Sequence, residues 1–149
     1  MSRGVGSFLV FATASICRYW LSQLSMVSTN GNNYSNGNNR KHGEVSVEIF
    51  AAGDGINYPQ QGQEVIIHYT ACLKDGPEFD STRKRKPFRF HLLAEQVIPG
   101  LETGVSQLSI GEQAKITIPS SEAYAEKGFP GLVPANADLV FEVELLSFA

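Results

Sequence analysis

Residues 124–134 read YAEKGFPGLVP, and they are followed at 138–146 by DLVFEVELL. Glycine and proline stiffen the first segment into a loop, whereas the second segment alternates apolar and acidic residues as a half-buried strand does. The loop also carries four apolar side chains, at Tyr124, Phe129, Leu132 and Val133. Because loops usually avoid that much apolar surface, this one either folds over a core or lines an apolar ligand site. The rest of the chain favours the ligand site.

Apolar residues recur at every second position in other parts of the chain as well. The alternation is found at 45–49, 63–73 and 113–118, and a shorter strand-like segment lies at 88–92. A period of two places successive side chains on opposite faces of a β-strand. Together with the segment at 138–146, the sequence predicts about five strands, which we expect to pair in the antiparallel sense.

Ahead of the fourth of these strands the period changes from that of a strand to that of a helix. Pro99 marks the start of the helix and Gly111 its end. Between them the apolar residues form a single stripe, made by Leu101, Val105 and Leu108. One short helix and five strands predict an α+β domain, in which one face of the sheet is buried against the helix.

Composition and charge exclude several classes of protein. The 149 residues are 42% hydrophobic, which is enough for one core, and nothing in the sequence demands two. Residues 1–43 carry four basic and no acidic side chains, whereas residues 44–149 carry eight basic and 15 acidic ones. An acidic domain is a poor electrostatic match for nucleic acid. Cys17, Cys72 and three scattered histidines lack the spacing of metal ligands, so we expect no metal, no disulfide and no cofactor.

The first part of the chain does not look like part of the folded domain. Residues 1–27 contain an apolar run at 4–17, which is shorter than the roughly 20 residues that a bilayer-spanning helix needs. They fit a secretory signal, an organelle transit peptide, or an extension ahead of a working start at Met26, which would leave the protein cytoplasmic. Residues 28–43 are rich in Asn, Gly and Ser and predict a linker. The folded domain is therefore predicted at 44–149.

Seven motifs in this domain follow one another in a recognisable order and spacing. They are VIIHYT at 65–70, FDST at 79–82, PFRF at 87–90, VIPGLE at 97–102, AY at 123–124, GFPG at 128–131 and LVFEVEL at 139–145. In this respect the chain resembles the FKBP-type peptidyl-prolyl cis-trans isomerases, the immunophilins that bind tacrolimus and rapamycin. Seven ordered motifs over about residues 45–147 are far more specific than one short motif. The resemblance implies a five-stranded, twisted antiparallel sheet wrapped around a short helix, with an aromatic pocket for a prolyl group between them.

The resemblance also implies which side chains form the pocket. Catalytic contacts with the prolyl group are expected from Tyr69, Phe79, Asp80, Ile98, Leu101, Tyr124 and Phe141. Further substrate-binding residues are expected at Phe88, Phe90, Val97, Phe129, Leu132, Val133 and Arg85. In this arrangement Leu101 is the floor beneath the proline ring, and the Tyr124 hydroxyl and the Ile98 N–H donate hydrogen bonds to substrate carbonyls. Asp80 and Arg85 form a polar edge.

Three positions depart from the family pattern. Leu101 stands where most well-known members have Trp, and a smaller floor should weaken drug affinity more than proline entry. Ala125 stands where Gly usually follows the pocket Tyr, so a backbone that needs positive φ would be strained there. The segment between Arg85 and Pro87 is one residue shorter than usual, so the sequence leaves open whether Asp80 pairs with Arg85.

The implied function is faster rotation of X-Pro bonds in protein substrates, with no nucleophile, metal or general base. An apolar aromatic pocket would bind the twisted prolyl amide, and macrolides such as tacrolimus or rapamycin are the expected small ligands. Taken singly, strand aromatics usually belong to a core, so only their joint placement indicates a pocket. The alternative is a weakly active or inactive module of the same fold that binds prolyl peptides or a partner. We expect a monomer with no nucleic-acid partner and no stable transmembrane span.

Overall fold

The computed structural model describes residues 43–149. The predicted targeting segment at 1–27 and the predicted linker up to residue 42 lie outside the described residues. The described part of the chain forms six strands, one α-helix and a 3-10 turn. In chain order these are β1 Ser46–Ala51, β2 Glu64–Leu73, β3 Glu78–Ser81, β4 Phe88–His91, α1 Pro99–Val105, β5 Gln113–Ile118, the turn Ser120–Glu122 and β6 Leu139–Phe148.

The strands form one antiparallel sheet in the order β1-β5-β6-β2-β3. Strand β4 lies on the same side of β2 as β3, because the first half of β2 pairs with β4 and the second half with β3. The six strands therefore fill five positions across the sheet. The predicted α+β domain, with about five antiparallel strands and one short helix, is confirmed. The sequence did not predict β3, since Phe79 is the only apolar residue among its four and they show no alternation.

Helix α1 lies close to the sheet because two of its residues have no side chain. A Cβ on Gly100 would lie 2.3 Å from Cγ2 of Ile118, and a Cβ on Gly104 would lie 2.5 Å from Cδ1 of Ile116. Real Cβ atoms do not approach other atoms this closely, so only glycine allows this packing distance. No helix within residues 43–149 is long and apolar enough to cross a lipid bilayer.

The helix is shorter than the sequence pattern predicts. It ends at Val105 rather than just before Gly111, because the chain then tightens into a turn. In that turn the N–H of Gln107 donates to the carbonyl of Gly104, and the N–H of Leu108 to the carbonyl of Val105. These are bonds of the 3-10 type, which commonly close the end of an α-helix. Leu108 remains fully buried, so the apolar stripe was correct although its last member lies outside the helix.

The core lies between α1 and one face of the sheet. Val65, Ile67 and Tyr69 at alternate positions of β2 are at most 1% exposed, as the alternation predicts. His68 and Thr70 lie on the other face, and are only half-buried. The neighbouring strands add a matching set of fully buried side chains, at Ala114, Ile116, Ile118, Leu139, Val143 and Leu145.

Deletion of residues 1–43 should leave the melting temperature of the domain within about 2 °C of that of the full chain. A loss of about 1 kcal/mol in the free energy of unfolding would lower the melting temperature of a domain of this size by about 4–8 °C, so the expected loss is well below that. The reason is that β1 begins at Ser46 and the core is built from residues 65–145. Thermal unfolding of the two chains side by side provides the measurement. A fall of several degrees on deletion would show that the N-terminal segment packs on the domain.

Candidate functional site

A cleft opens between α1 and the apolar face of the sheet. It holds about 260 Å3 of empty space, counting its open mouth. The cleft is lined by Tyr69, Ala71, Phe79, Asp80, Val97, Ile98, Leu101, Tyr124 and Phe141. All but Ala71 were predicted as site residues, and they come from five separate parts of the chain. The structure thus brings together all seven residues of the expected catalytic set.

Ala71 makes room for the cleft. It lies opposite Phe141 in the pairing of β2 with β6, and Tyr69 is the preceding residue of β2 on the same face. The Tyr69 and Phe141 ring centroids are 5.7 Å apart, with their planes at 41°. Because Ala71 has only a methyl group, the space in front of these rings stays open. In the sequence, the only sign that Ala71 would leave this space open was its small size and its place two positions after Tyr69 in the same strand.

The polar edge of the cleft is a chain of three groups. The Tyr69 hydroxyl donates to Oδ2 of Asp80 at 2.5 Å, and Nη2 of Arg85 donates to Oδ1 of Asp80 at 2.7 Å. Burial, followed by the hydrogen bond to Asp80, raises the pKa of Tyr69 far above its usual value, so the phenol keeps its proton. Asp80 and Arg85 therefore do pair, which settles the point that the shortened segment left open. With both oxygens occupied, Asp80 holds the Tyr69 ring in place.

Arg85 is anchored by its own loop. Its Nε and Nη2 atoms both donate to the carbonyl of Ser81, at 2.9 and 2.6 Å. The Asp80 side chain is 1% exposed and that of Arg85 is 32% exposed, so the ion pair is shielded on one side only. Arg85 thus reaches the site through Asp80 and is not among the lining residues.

Thr82 fixes the position of Tyr69 and was not singled out from the sequence. Its hydroxyl accepts the Tyr69 N–H at 2.9 Å, and its own N–H donates to the Tyr69 carbonyl at 2.9 Å. The Thr82 hydroxyl also lies 3.0 Å from Nδ1 of His68. Thr82 is buried directly after β3, so it ties the end of that strand to the backbone of β2. The threonine was present in the FDST motif, but its partner could not be read from the sequence.

Two other predicted residues stand behind the pocket. The Phe88 ring meets Tyr69 edge to face, with centroids 6.0 Å apart, and Phe90 stacks on Phe88 at 5.6 Å. Both are buried and lie outside the lining of the cleft. Phe88 therefore contacts the Tyr69 ring directly, whereas Phe90 supports it only through Phe88.

The loop at 124–134 places only Tyr124 in the lining of the cleft. Phe129 packs edge-on against Tyr124, with ring centroids 5.6 Å apart. The backbone N–H groups of Phe129 and Val133 each donate to the carbonyl of the other, at 2.8 and 2.9 Å. Val133 is buried in the core, and Leu132 is partly buried against it. The loop therefore does both things that its sequence allowed: one side chain enters the cleft and the others fold over the core.

Ile98 and Leu101 present the start of α1 to the cleft. Ile98 is the N-cap of the helix, and its carbonyl accepts the N–H groups of Leu101 and Glu102. Within residues 43–149, no acceptor is hydrogen-bonded to the Ile98 N–H. Leu101 is 1% exposed and lines the cleft. The site thus offers a backbone donor beside an apolar side chain.

Glu102 is a buried carboxylate next to the pocket that sequence reasoning missed. It is 6% exposed, and one of its oxygens accepts the N–H of Glu95 at 3.2 Å. Burial raises its pKa from 4.5 to about 7. A lone Glu in the first turn of a helix ordinarily reads as a surface residue that favours the helix dipole. Nothing in the local sequence distinguishes this one.

Ala125 has a φ of 47°, so it adopts the left-handed conformation that normally suits glycine. Its N–H donates to the Ser120 carbonyl at 2.8 Å and its carbonyl accepts the Asn136 N–H at 2.7 Å, which hold it there. Ala125→Gly should therefore stabilise the protein by about 0.5–1 kcal/mol, because relief of strain outweighs the added freedom of the unfolded chain. Urea unfolding would measure the change. The matched control is Ala114→Gly in β5, where the backbone is that of a regular strand and the substitution should destabilise.

In the part of the chain that the structure describes, no three His, Cys, Asp or Glu side chains come together as metal ligands. The cleft offers apolar contacts, the hydroxyl groups of Tyr69 and Tyr124, the Asp80 carboxylate paired with Arg85, and a backbone N–H donor. Such a site can bind and orient a ring next to an amide. No nucleophile activated by a base lies among the lining residues.

Comparison with known proteins points to one family. Residues 55–146 match the sequence profile of FKBP-type peptidyl-prolyl cis-trans isomerase. The chain is 52% identical to a Debaryomyces hansenii protein named FK506-binding protein 1 over 104 residues. This match covers 69% of this chain and 93% of the relative. A protein of the same name from Candida glabrata is 48% identical over 105 residues, or 70% of this chain and 92% of the relative. The matched range of the family includes every residue that lines the cleft.

Proposed function

Because the chain belongs to the FKBP-type peptidyl-prolyl cis-trans isomerase family, we propose that it speeds the rotation of X-Pro bonds by holding the prolyl ring in the cleft between α1 and the sheet. The observation that carries this proposal is the meeting of aromatic walls, an apolar floor and the Ile98 N–H in one cleft. The substrates are proteins or peptides with an accessible X-Pro bond.

The physical basis is a difference in polarity between the planar and the twisted amide. Resonance gives the planar amide its rotation barrier of about 20 kcal/mol, and that resonance and part of the dipole are lost on twisting. A cleft lined by Tyr69, Phe141 and Leu101 solvates the less polar twisted form better than the planar form. Each tenfold gain in rate requires only about 1.4 kcal/mol of this preference.

Two hydrogen-bond donors would orient the substrate. The Ile98 N–H and the Tyr124 hydroxyl would donate to carbonyl groups on either side of the prolyl ring, since both residues line the cleft. Holding these carbonyls leaves the X-Pro bond itself free to rotate within the apolar cleft. Asp80 contributes by fixing the Tyr69 wall, and not as a base, since both of its oxygens already accept hydrogen bonds.

The same cleft is proposed to bind the macrolide FK506 (tacrolimus), because relatives that are about half identical bear the name FK506-binding protein. The full-length chain should accelerate exchange in a short proline peptide, measured by a chymotrypsin-coupled assay and by NMR. An equimolar amount of FK506 should abolish this activity. Binding of FK506 without acceleration of the peptide would favour the alternative of a binding module.

Leu101→Trp should tighten FK506 binding about fivefold, if the larger floor buries roughly 40 Å2 of additional apolar surface at about 25 cal/mol per Å2. Overpacking by the larger ring costs about 1–3 kcal/mol, and this cost should appear in the stability of the chain rather than in the affinity, because the free and the bound protein both bear it. The chain has a single native Trp, so the new indole can be followed by fluorescence during titration. Leu108→Trp is the control, because Leu108 is equally buried but does not line the cleft. Unchanged affinity in a folded Leu101→Trp protein would show that Leu101 is not the floor.

A further inference from the structure

The loop between β4 and α1 has an unusual backbone. Leu93 and Glu95 have φ values of 56° and 59°, although neither is glycine. Left-handed residues at alternate positions turn successive N–H groups towards one side, and such a concave group of donors binds anions. The loop therefore forms a nest of backbone N–H groups just before the residues that line the cleft.

The Glu102 side chain fills this nest. Its Oε1 accepts the N–H of Glu95 at 3.2 Å. The backbone N–H groups of Ala94, which donates to the His91 carbonyl at 3.3 Å, and of Gln96 also act on Glu102 to favour its ionised form. All three neighbouring groups are N–H donors, which suits an ionised carboxylate because it has only acceptors. A protonated carboxyl would turn its own hydrogen towards another donor or leave one N–H unshared.

The nest is directly connected to the cleft. Its last N–H belongs to Gln96, and the next two residues, Val97 and Ile98, both line the cleft. Glu102 itself follows Leu101, the floor residue, on the first turn of α1. No side chain caps the N-terminus of this helix. Glu102 thus links the loop to the helix where the Ile98 N–H is presented.

We propose that Glu102 is a positioning residue: its ionised carboxylate holds the loop 93–98 in the shape that presents Val97 and Ile98 to the prolyl ligand. This inference rests on the proposed function of the cleft. It also makes ligand binding and catalysis depend on the ionisation of one buried side chain, which weakens both processes when the carboxylate is protonated.

The charged groups around Glu102 influence the pH at which its carboxylate is protonated. Burial is the main cause that raises its pKa to about 7, and the neighbouring carboxylate of Glu95 adds to it. β4 contributes His91, an exposed residue whose N–H donates to Oε1 of Gln96. The turn after β5 contributes Glu122, whose carbonyl lies beside Gly100. The buried side chains that β5 and β6 direct towards the helix are apolar, and the remaining titratable groups lie across the cleft at Tyr69, Asp80 and Tyr124.

The sign of the effect on stability is opposite to the effect on binding. A carboxyl whose pKa is raised on folding stabilises the fold at low pH, and this contribution is lost as the pH rises through the folded pKa near 7. Glu102→Gln removes that loss, so the variant should melt at a higher temperature than wild type at pH 8. The same variant should bind FK506 about three- to tenfold more weakly at pH 8, since a charge-assisted hydrogen bond is lost. A merely structural residue would lower both quantities together.

The experiment uses the full-length chain labelled with 15N, titrated from about pH 5.5 to about 8.5 around the expected midpoint. In wild type the amide signals of Ala94, Glu95 and Gln96 should titrate near pH 7, and kcat/KM for a proline peptide should rise over the same range. In Glu102→Gln both changes should disappear, leaving a flat activity profile at the low-pH level of wild type. Glu95→Gln should lower the midpoint, and His91→Gln should leave it unchanged.

The outcomes separate this inference from the function on which it rests. A wild-type chain without isomerase activity at any pH would overturn the proposed function, and this inference with it. Activity in wild type with amide signals that do not titrate would overturn the role of Glu102 alone. A pH profile that persists in Glu102→Gln but vanishes in His91→Gln would assign the pH dependence to His91 and overturn the proposal as well.

Discussion

Phe79→Ala is expected to lower kcat/KM for a proline peptide by roughly ten- to one hundredfold while the domain stays folded. Phe79 lines the cleft from β3 at the edge of the sheet and is only partly buried against the core. Removal of its ring withdraws apolar contact from the prolyl group, and about 1.4–2.8 kcal/mol of lost transition-state contact corresponds to this range. The cavity left behind opens to solvent, so the cost in stability should be small.

Tyr69→Ala is the contrasting substitution, because Tyr69 is a wall of the cleft and a central residue of the core. It is 1% exposed and contacts both Phe88 and Phe141. Its truncation should cost about 3–5 kcal/mol of stability, which is a large part of the roughly 5–15 kcal/mol available to a typical domain. Urea unfolding together with kcat/KM measurements separates the two cases. An unchanged kcat/KM in a folded Phe79→Ala protein would remove Phe79 from the site.

Gly128→Ala is expected to destabilise the protein by about 3 kcal/mol or more, because a steric clash adds to the cost of a left-handed backbone. Gly128 has a φ of 59°, and a Cβ at this position would lie 2.3 Å from the carbonyl oxygen of Val133. The two backbone segments must separate to admit the methyl group. Because the Gly128 N–H donates to the Tyr124 carbonyl, Tyr124 should be displaced from the cleft as well.

Gly131→Ala is the matched control for this effect. Gly131 lies in the same loop and also has a positive φ, of 81°, but nothing lies within 4 Å of the point that its Cβ would occupy. Its substitution should cost only the conformational penalty of about 1 kcal/mol. Urea unfolding and FK506 titration of both variants provide the measurement. Equal losses in the two proteins would mean that the close contact with Val133 does not contribute.

The cleft has few freely adjustable parts, since its lining residues are held by other elements. Asp80 and Thr82 hold Tyr69, Phe129 packs on Tyr124, and Glu102 holds the loop that leads to Ile98. Supports of this kind keep the geometry of a binding site fixed when the ligand is absent. A ligand then loses little free energy in ordering the site.

Five of the six strands, their buried faces and the family could be predicted from the order of the residues. Alternation is a local property, so Val65, Ile67 and Tyr69 could be placed on one face without knowledge of their partners. The motifs likewise carried all seven residues of the expected catalytic set, and the structure brings these together in one cleft. Proline and glycine marked where the helix starts and where the turn after it ends, but the tightening of its last turn could not be read from them.

The division between residues that line the cleft and residues that support it emerged only from the folded chain. Ala71 faces Phe141 across a strand pair whose register depends on an irregularity elsewhere in the ladder. The pairing of Asp80 with Arg85 depends on the path of a shortened loop, and the burial of Glu102 depends on the left-handed residues Leu93 and Glu95. These features arise from contacts between segments distant in sequence or from backbone conformation. A local pattern of apolar and polar residues encodes neither, because it records which face is buried and not what is buried against it.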